Sequence, residues 1–144
     1  MRFAIIVSRF NSDVTNGLLE GAKSFLKEKT IVTDPCDVFY APGAFELPLI
    51  AQTLVRTGRY DGVICLGCVI KGDTAHFEFI SLGATLGIMQ ASLATETPIS
   101  FGILTTYTDE QAEIRSKDGP ENKGREAAGA CWESARLLHS IRTT

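Results

Sequence analysis

The chain has few of the residues that mark metal sites, disulfide scaffolds or charged tails. It contains only two histidines and four cysteines in 144 residues, and no low-complexity tract or internal repeat. The net charge is −3 and no block of like charges occurs, so neither a nucleic-acid partner nor a membrane surface is indicated. No uninterrupted apolar run approaches the roughly 18 residues that cross a bilayer, and the run near Met1 is too short for a signal peptide. We therefore expect a cytoplasmic protein with a single domain over residues 1–144.

The cysteines include one pair with a spacing typical of redox and zinc motifs. Cys65 and Cys68 form a C-x-x-C pattern. Their surroundings, YDGVICLGCVI, are typical of a strand, in which residues three apart point to opposite faces about 10 Å apart, beyond disulfide reach. No second cysteine or histidine cluster completes a zinc site. The sequence therefore predicts that both are small buried residues without redox or metal chemistry.

Apolar runs and helical periodicities alternate along the chain. The runs predict strands at 2–8, 36–40, 62–70 and 99–105. Apolar residues at helical spacing predict helices at 14–26, 47–55, 74–95, 109–115 and 121–140. Strands that are apolar throughout are covered by helices on both faces. The predicted fold class is therefore α/β, a three-layer α/β/α sandwich with a four-stranded parallel sheet.

Ligands of such sheets bind beyond the carboxyl ends of the strands, which selects the loops at 8–11, 41–46, 71–76 and 105–110. Gly67 in the third predicted strand and Gly72 in the loop after it nearly complete the pattern G-x-x-x-x-G-K-[ST] of nucleotide triphosphatases. Asp73 stands where that pattern needs a lysine, so this function is not indicated. The turn from Gly72 to Thr74 still opens a helix whose free amides could hold one phosphate. An ordinary capped helix start fits the pattern equally well.

Other polar and aromatic residues fall in the same loops. His76 stands in the first turn of the third predicted helix and could exchange protons with a substrate, although taken alone it is more simply a surface histidine. Phe10 and Asn11 suit a flat heterocycle with hydrogen-bonding edges, or Phe10 packs on the next helix. Glu46 could accept hydrogen bonds from hydroxyls or simply favour a helix start.

The third predicted helix is apolar on nearly every side and contains Gly83 and Gly87. A helix with so much apolar circumference needs cover from more than one direction. Small residues at this spacing would let another helix approach closely. We interpret the pair as a sign of an oligomer.

Six sequence blocks in one order carry a resemblance to a known family. They are SRFN with LLEGA, PGAFELP, YDGVICLGCVIKGDTAHFEF, PISFGILTT, EQAEIR and NKGREAA. Over about 3–128 the chain strongly resembles the 6,7-dimethyl-8-ribityllumazine synthase family. The resemblance implies a flavodoxin-like fold and condensation of 5-amino-6-(D-ribitylamino)uracil with 3,4-dihydroxy-2-butanone 4-phosphate. It implies no cofactor and no metal, and a homopentamer with each active site between two subunits.

The resemblance also implies a role for each matching residue. His76 would transfer protons during Schiff-base formation and phosphate elimination. Phe10, Val69 and Ile70 would contact the pyrimidine, and Asn11, Ala44 and Glu46 the ribityl chain. The substrate-binding residues of one chain would be Phe10, Asn11, Ala44, Phe45, Glu46, Val69, Ile70, Gly72, Asp73 and Thr74. A neighbouring subunit would add Phe101 over the ring, Arg115 on the phosphate, Lys123 nearby and Glu126 to orient His76 or Arg115.

Two departures from the family pattern put the higher assembly in doubt: residues before the first strand are missing, and the stretch 30–35 after the first helix lacks an expected glycine. Members usually carry further residues before the first strand, which pair with a neighbour's sheet, whereas this chain starts on that strand. The loop at 117–122 has the short length associated with sixty-subunit shells. We therefore expect a pentamer and leave a larger shell open.

Functions of other classes are less well supported. A signalling receiver domain would need acidic residues after the first strand, and a flavin carrier a hydroxyl-rich loop, but Arg9, Phe10 and Asn11 supply neither. A catalytically silent flavin-binding or lumazine-binding homologue, or a shell protein, would be indicated by the loss of His76, Arg115 or Lys123. All three are present.

Overall fold

Four parallel strands form one sheet in the computed structural model, which describes residues 1–144. The strands are β1 (Phe3–Ser8), β2 (Val38–Ala41), β3 (Gly62–Ile70) and β4 (Ile99–Thr106). The helices are α1 (Ser12–Glu28), α2 (Leu47–Arg56), α3 (His76–Thr95), α4 (Asp109–Ser116) and α5 (Lys123–Arg142). The sheet order is β2-β1-β3-β4, which is the flavodoxin-like order. The predicted α/β class and the parallel four-stranded sheet are confirmed.

Each face of the sheet has its own core. Ile5, Val7 and Leu66 belong to the core that also holds residues of α1 and α5. Ile6 and Cys65 belong to the opposite core, with residues of α2 and α3. Successive side chains of a strand point to opposite faces, so both sides of β1 and β3 must be apolar. This is why these strands show no polar alternation.

Several element boundaries differ from the prediction by one or two residues, and local capping explains two of them. β2 starts at Val38, since the residues before it form a 3₁₀ turn, Pro35–Asp37, whose first amide is capped by Asp34. α3 starts two residues later than predicted. α5 starts at Lys123 because Asn122 is its N-cap, and its Oδ1 accepts from Arg125 N at 3.0 Å.

The predicted burial of the C-x-x-C pair is confirmed. Cys65 and Cys68 lie in β3, both buried, and all four cysteines are free. Burial raises the pKa of Cys68 to about 11 and that of Cys131 to about 12, and it raises the pKa of Cys65 as well. Neutral thiols are poor nucleophiles and poor metal ligands, so these residues act as core side chains.

α3 is apolar on its outer as well as its inner side. By length and composition it could cross a membrane, and only 17% of its most apolar window is buried within the chain. The expectation from the sequence concerned only uninterrupted apolar runs, and α3 is interrupted by polar residues and glycines. Five large apolar side chains form an exposed stripe, here called the α3 stripe, at alternating spacings of three and four residues. They are Phe79, Leu82, Leu86, Met89 and Leu93.

The two glycines of α3 face the start of α2 and the turn just before it, in the same chain. A Cβ on Gly87 would lie 2.7 Å from Cγ of Pro48, and one on Gly83 would lie 3.0 Å from a ring carbon of Phe45. Their small size thus lets the start of α2 approach α3. The interpretation of this pair as a contact for a second copy is wrong, because the pair is already used within one chain.

Candidate active site

A cavity of about 490 Å³ opens at the carboxyl ends of β1 and β3. These are the neighbouring strands from which the chain proceeds in opposite directions across the sheet, where open α/β sheets bind their ligands. Its lining residues are Phe10, Pro42, Gly43, Ala44, Phe45, Glu46, Cys68, Val69, Ile70, Gly72, Thr74, His76, Phe77 and Ile80.

The loop after β1 presents an aromatic ring to this cavity. Arg9 N donates to Ala41 O at 2.8 Å, which extends the pairing of β1 with β2 by one residue. Asn11 then adopts a left-handed backbone conformation, φ 60°, and its Nδ2 donates to Cys68 O at 2.9 Å. Between these two anchors Phe10 is left 70% exposed. The ring is therefore available to stack on a flat ligand and is not needed as a core residue.

The loop after β2 supplies a carboxylate. Ala44–Glu46 form a 3₁₀ turn that leads directly into α2. Ala44 is buried and Phe45 is 59% exposed, while the Glu46 carboxylate has no hydrogen-bond partner in its own chain. A carboxylate with free oxygens at the mouth of a cavity can accept hydrogen bonds from ligand hydroxyls.

The loop after β3 leads into an uncapped helix. α4 and α5 are capped by the side chains of Thr108 and Asn122, whereas Ala75 provides no such cap for α3. The nearest substitute is Thr74, whose Oγ1 lies 3.4 Å from His76 N. Free amides and the positive end of the helix dipole at this point favour an anion. The exposed His76 lies at the same place.

The cavity contains no strong positive charge. Its lining includes one carboxylate, Glu46, and one imidazole, His76, but no lysine or arginine. Arg115 Nη1 instead donates to Gln111 O of its own helix at 3.0 Å, and Lys123 pairs with Glu126 at 3.1 Å. One chain therefore offers the phosphate-sized helix start without the cation that would neutralise a bound phosphate.

The structure brings together most of the residues predicted from the sequence. Nine of them line the cavity, namely Phe10, Ala44, Phe45, Glu46, Val69, Ile70, Gly72, Thr74 and His76. Asn11 contacts the cavity floor through Cys68, and Asp73 lies in the loop but not in the lining. The four residues expected from a neighbour, Phe101, Arg115, Lys123 and Glu126, are outside it.

Sequence reasoning missed five lining residues: Pro42, Gly43, Cys68, Phe77 and Ile80. Phe77 and Ile80 follow His76 at i+1 and i+4, so helical spacing could have indicated at least Ile80. Cys68 was assigned to the core, and its carbonyl does hold Asn11. Its side chain is buried, yet it still borders the cavity.

A larger groove of about 660 Å³ lies at the amino end of β4, between α3 and α5. Arg142 donates to Glu96 O there at 2.7 Å, and burial raises the pKa of the Cys131 thiol. The groove contains Phe101 but no other residue predicted for the active site.

The sheet order, the cavity at the β1 and β3 ends, and the histidine beside an uncapped helix start define a flavodoxin-like α/β enzyme. The profile of the family described as 6,7-dimethyl-8-ribityllumazine synthase matches residues 1–139. The chain belongs to this family, which confirms the resemblance carried by the six sequence blocks.

Two relatives show how close the similarity is. The chain is 65% identical over 141 residues to 6,7-dimethyl-8-ribityllumazine synthase 1 of Caulobacter vibrioides, covering 98% of this chain and 92% of that protein. It is 50% identical over 140 residues to 6,7-dimethyl-8-ribityllumazine synthase of Salinibacter ruber, covering 97% of this chain and 90% of that protein.

Proposed function

We propose that the protein is a lumazine synthase, a transferase of riboflavin biosynthesis. It condenses 5-amino-6-(D-ribitylamino)uracil with 3,4-dihydroxy-2-butanone 4-phosphate to 6,7-dimethyl-8-ribityllumazine, releasing phosphate and water. The observation that carries this proposal is the meeting of Phe10, Glu46 and His76 in one cavity, in a chain that belongs to the family.

The cavity suits the pyrimidine substrate. Phe10 can stack on the ring, and the backbone at the end of β3, Val69 and Ile70, can bond its polar edge. The free carboxylate of Glu46 can accept hydrogen bonds from the ribityl hydroxyls. Asn11 keeps its Oδ1 as an acceptor, since only its Nδ2 is bonded to Cys68.

The second substrate brings a ketone and a phosphate. The amine attacks the ketone carbon, water leaves to give a Schiff base, and phosphate is then eliminated. The ribitylamino nitrogen closes the ring on the carbonyl that remains, with loss of a second water. His76 would move protons in these steps, while the amides from Gly72 to Thr74 hold the phosphate beside it. Most of the rate enhancement would come from holding both reactants together, and His76 would add a factor of about 10².

We further propose that the active site is completed by a second copy of the chain, in a homopentamer. The cavity lacks a cation, and the α3 stripe leaves a long apolar face that a neighbour would cover. In that assembly Arg115 would bind the phosphate through its planar fork. Phe101 would close over the ring, and Lys123 and Glu126 would lie nearby.

We also propose that the enzyme uses no cofactor or metal, acts in the cytoplasm and consists of one domain. A condensation followed by an elimination needs proton transfer and not electron transfer, which supports a reaction without cofactor or metal. Four free thiols are typical of a reducing compartment, which supports a cytoplasmic enzyme. The catalytic unit would be one domain over residues 1–144.

The direct test is to mix the purified protein with both substrates and follow the fluorescence of the lumazine. We expect product above the spontaneous rate, and kcat about 100-fold lower for His76→Ala. Binding of the product without turnover would instead identify a silent lumazine-binding homologue.

A mixing experiment tests whether the site is shared. His76→Ala and Arg115→Ala chains would each be strongly impaired alone, but refolded together at equal amounts they should regain about a quarter of the wild-type sites. His76→Ala mixed with Glu46→Ala is the control, because both changes fall in the same chain's cavity and no intact site can form. No recovery in the first mixture would place Arg115 outside a shared site.

A further inference from the structure

Asn122 is a buried amide that uses all of its polar side-chain atoms. It is 1% exposed. Its Nδ2 donates to Gly17 O at 3.1 Å, to Ser116 O at 3.0 Å and to Lys117 O at 3.0 Å. Its Oδ1 accepts from Arg125 N at 3.0 Å. One side chain thus joins α1, the end of α4 and the start of α5.

The packing around this amide leaves no room for adjustment. A Cβ on Gly21 would lie 2.0 Å from Asn122 Oδ1, and one on Gly17 would lie 2.3 Å from Ser116 O. On the opposite side, a Cβ on Gly124 would lie 1.9 Å from Leu18 O. Glycines on α1 and α5 therefore let both helices close on the junction, which fixes Asn122 in a single position.

The junction carries two cations at its ends. Arg115 directly precedes Ser116, whose carbonyl Asn122 holds, and Lys123 directly follows Asn122. The loop between the two helices contains Gly119 at φ 130° and has no strand or helix of its own. The relative position of Arg115 and Lys123 therefore depends on the hydrogen bonds of Asn122.

We propose that Asn122 is a positioning residue that holds Arg115 and Lys123 at the separation needed to bind the phosphate of the second substrate. This inference rests on the proposed function. Asn122 is buried and does not touch the substrate. It acts by fixing the end of α4 against the start of α5. The two cations are then already positioned for one phosphate, and binding loses little conformational entropy.

The test uses two variants that disturb Asn122 from different sides. Asn122→Ser removes the amide donor but leaves a hydroxyl that can still cap α5. Gly21→Ala keeps the Asn122 amide but adds a Cβ that would clash with its Oδ1, so the amide must shift. Gly129→Ala is the matched control, because its Cβ would meet Phe25 at an ordinary 3.5 Å.

We expect Asn122→Ser and Gly21→Ala to raise the KM for the phosphate-bearing substrate about tenfold. The KM for the ribitylaminouracil should stay unchanged and kcat should stay within about twofold, since neither variant touches the cavity. The inhibition constant of inorganic phosphate should rise in parallel. Gly129→Ala should change none of these values.

A merely structural role would lower activity in proportion to folded protein at constant KM, and that result would overturn the inference. If Asn122→Ser does not fold, Gly21→Ala decides. Calorimetric titration with inorganic phosphate needs no turnover and separates the two proposals. An inactive wild type refutes the proposed function, whereas equal phosphate affinity in wild type and Gly21→Ala refutes the role of Asn122.

Discussion

The side-chain amide of Asn11 donates to the backbone carbonyl of Cys68 at 2.9 Å, across the ends of two neighbouring strands. Asn11 makes this contact from a left-handed backbone conformation, φ 60°, which asparagine adopts more easily than most residues. The contact fixes the floor of the cavity, because Val69 and Ile70 follow Cys68 directly. It links the first loop of the chain to the strand that is proposed to contact the pyrimidine.

Substitutions of Asn11 should separate backbone strain from the hydrogen bond. Asn11→Gly keeps the left-handed conformation and should lower the free energy of unfolding by about 1 kcal/mol through the lost bond. Asn11→Ala adds the left-handed strain and should lower it by about 2 to 3 kcal/mol. Urea denaturation measures both values. Equal losses in the two variants would mean that the conformation carries no cost at this position.

Thiol labelling should distinguish Cys36 from the other three cysteines. Cys36 is exposed, whereas Cys65, Cys68 and Cys131 are buried with raised pKa values. An aromatic disulfide reagent should label only Cys36 in the native protein, and slowly, because Asp34 raises its thiol pKa too. All four should react in denaturant. Rapid labelling of Cys65 or Cys68 would revive a redox role for the C-x-x-C pair.

Asp37 should be important for stability at the amino end of the sheet. Its carboxylate is 3% exposed and accepts from Arg2 Nη2 at 2.7 Å and from Tyr60 Oη at 2.8 Å. These bonds tie together the residues just before β1, β2 and β3. Asp37→Ala leaves both partners unpaired and should lower the free energy of unfolding by about 2 to 4 kcal/mol, as measured by urea denaturation.

The same carboxylate should make stability depend on pH on the acid side. The hydrogen bond from Arg2, and then that from Tyr60, hold the pKa of Asp37 below its ordinary value. Its contribution is therefore complete above the unfolded pKa of about 3.9 and is lost as the pH falls through the lower folded pKa. The midpoint of urea unfolding should fall more steeply below about pH 4 in the wild type than in Asp37→Ala. Parallel curves would show that this carboxylate is not the group involved.

The α3 stripe should determine the assembly state. Leu86 lies in the middle of the stripe and is 51% exposed. Leu86→Glu would place a charge in the proposed subunit contact and should reduce the mass found by light scattering to that of the single chain. Val32→Glu is the control, since Val32 is 89% exposed and lies outside the stripe. An unchanged mass for Leu86→Glu would move the contact to another surface.

The regular part of the fold could be predicted from the sequence because it follows periodicity. Strand β3 was predicted at its observed bounds, Gly62–Ile70. A long apolar run between turn residues is typical of a strand that is buried on both faces of a parallel sheet. The loops beyond the strands followed from the same topology. They contain nine of the observed lining residues, including His76 and Glu46.

What could not be predicted depends on contacts distant in the sequence. The bond between Asn11 and Cys68 spans 57 residues, and that between Asn122 and Gly17 spans 105. Nothing local distinguishes these two asparagines from ordinary turn or cap residues. The interpretation of Gly83 and Gly87 failed for a related reason. Their spacing indicates that something packs closely against α3, but not that it is the start of α2, with the turn before it, in the same chain.

The residues that line the cavity and the residues proposed to act in a neighbour's active site come from different halves of the chain. Every lining residue lies between 10 and 80, and every residue proposed to enter a neighbour's active site lies between 101 and 126. A hybrid chain joined between α3 and β4 should therefore inherit the cavity lining from one parent and the proposed phosphate-binding cation, Arg115, from the other. In the proposed assembly these two contributions meet only where two chains do.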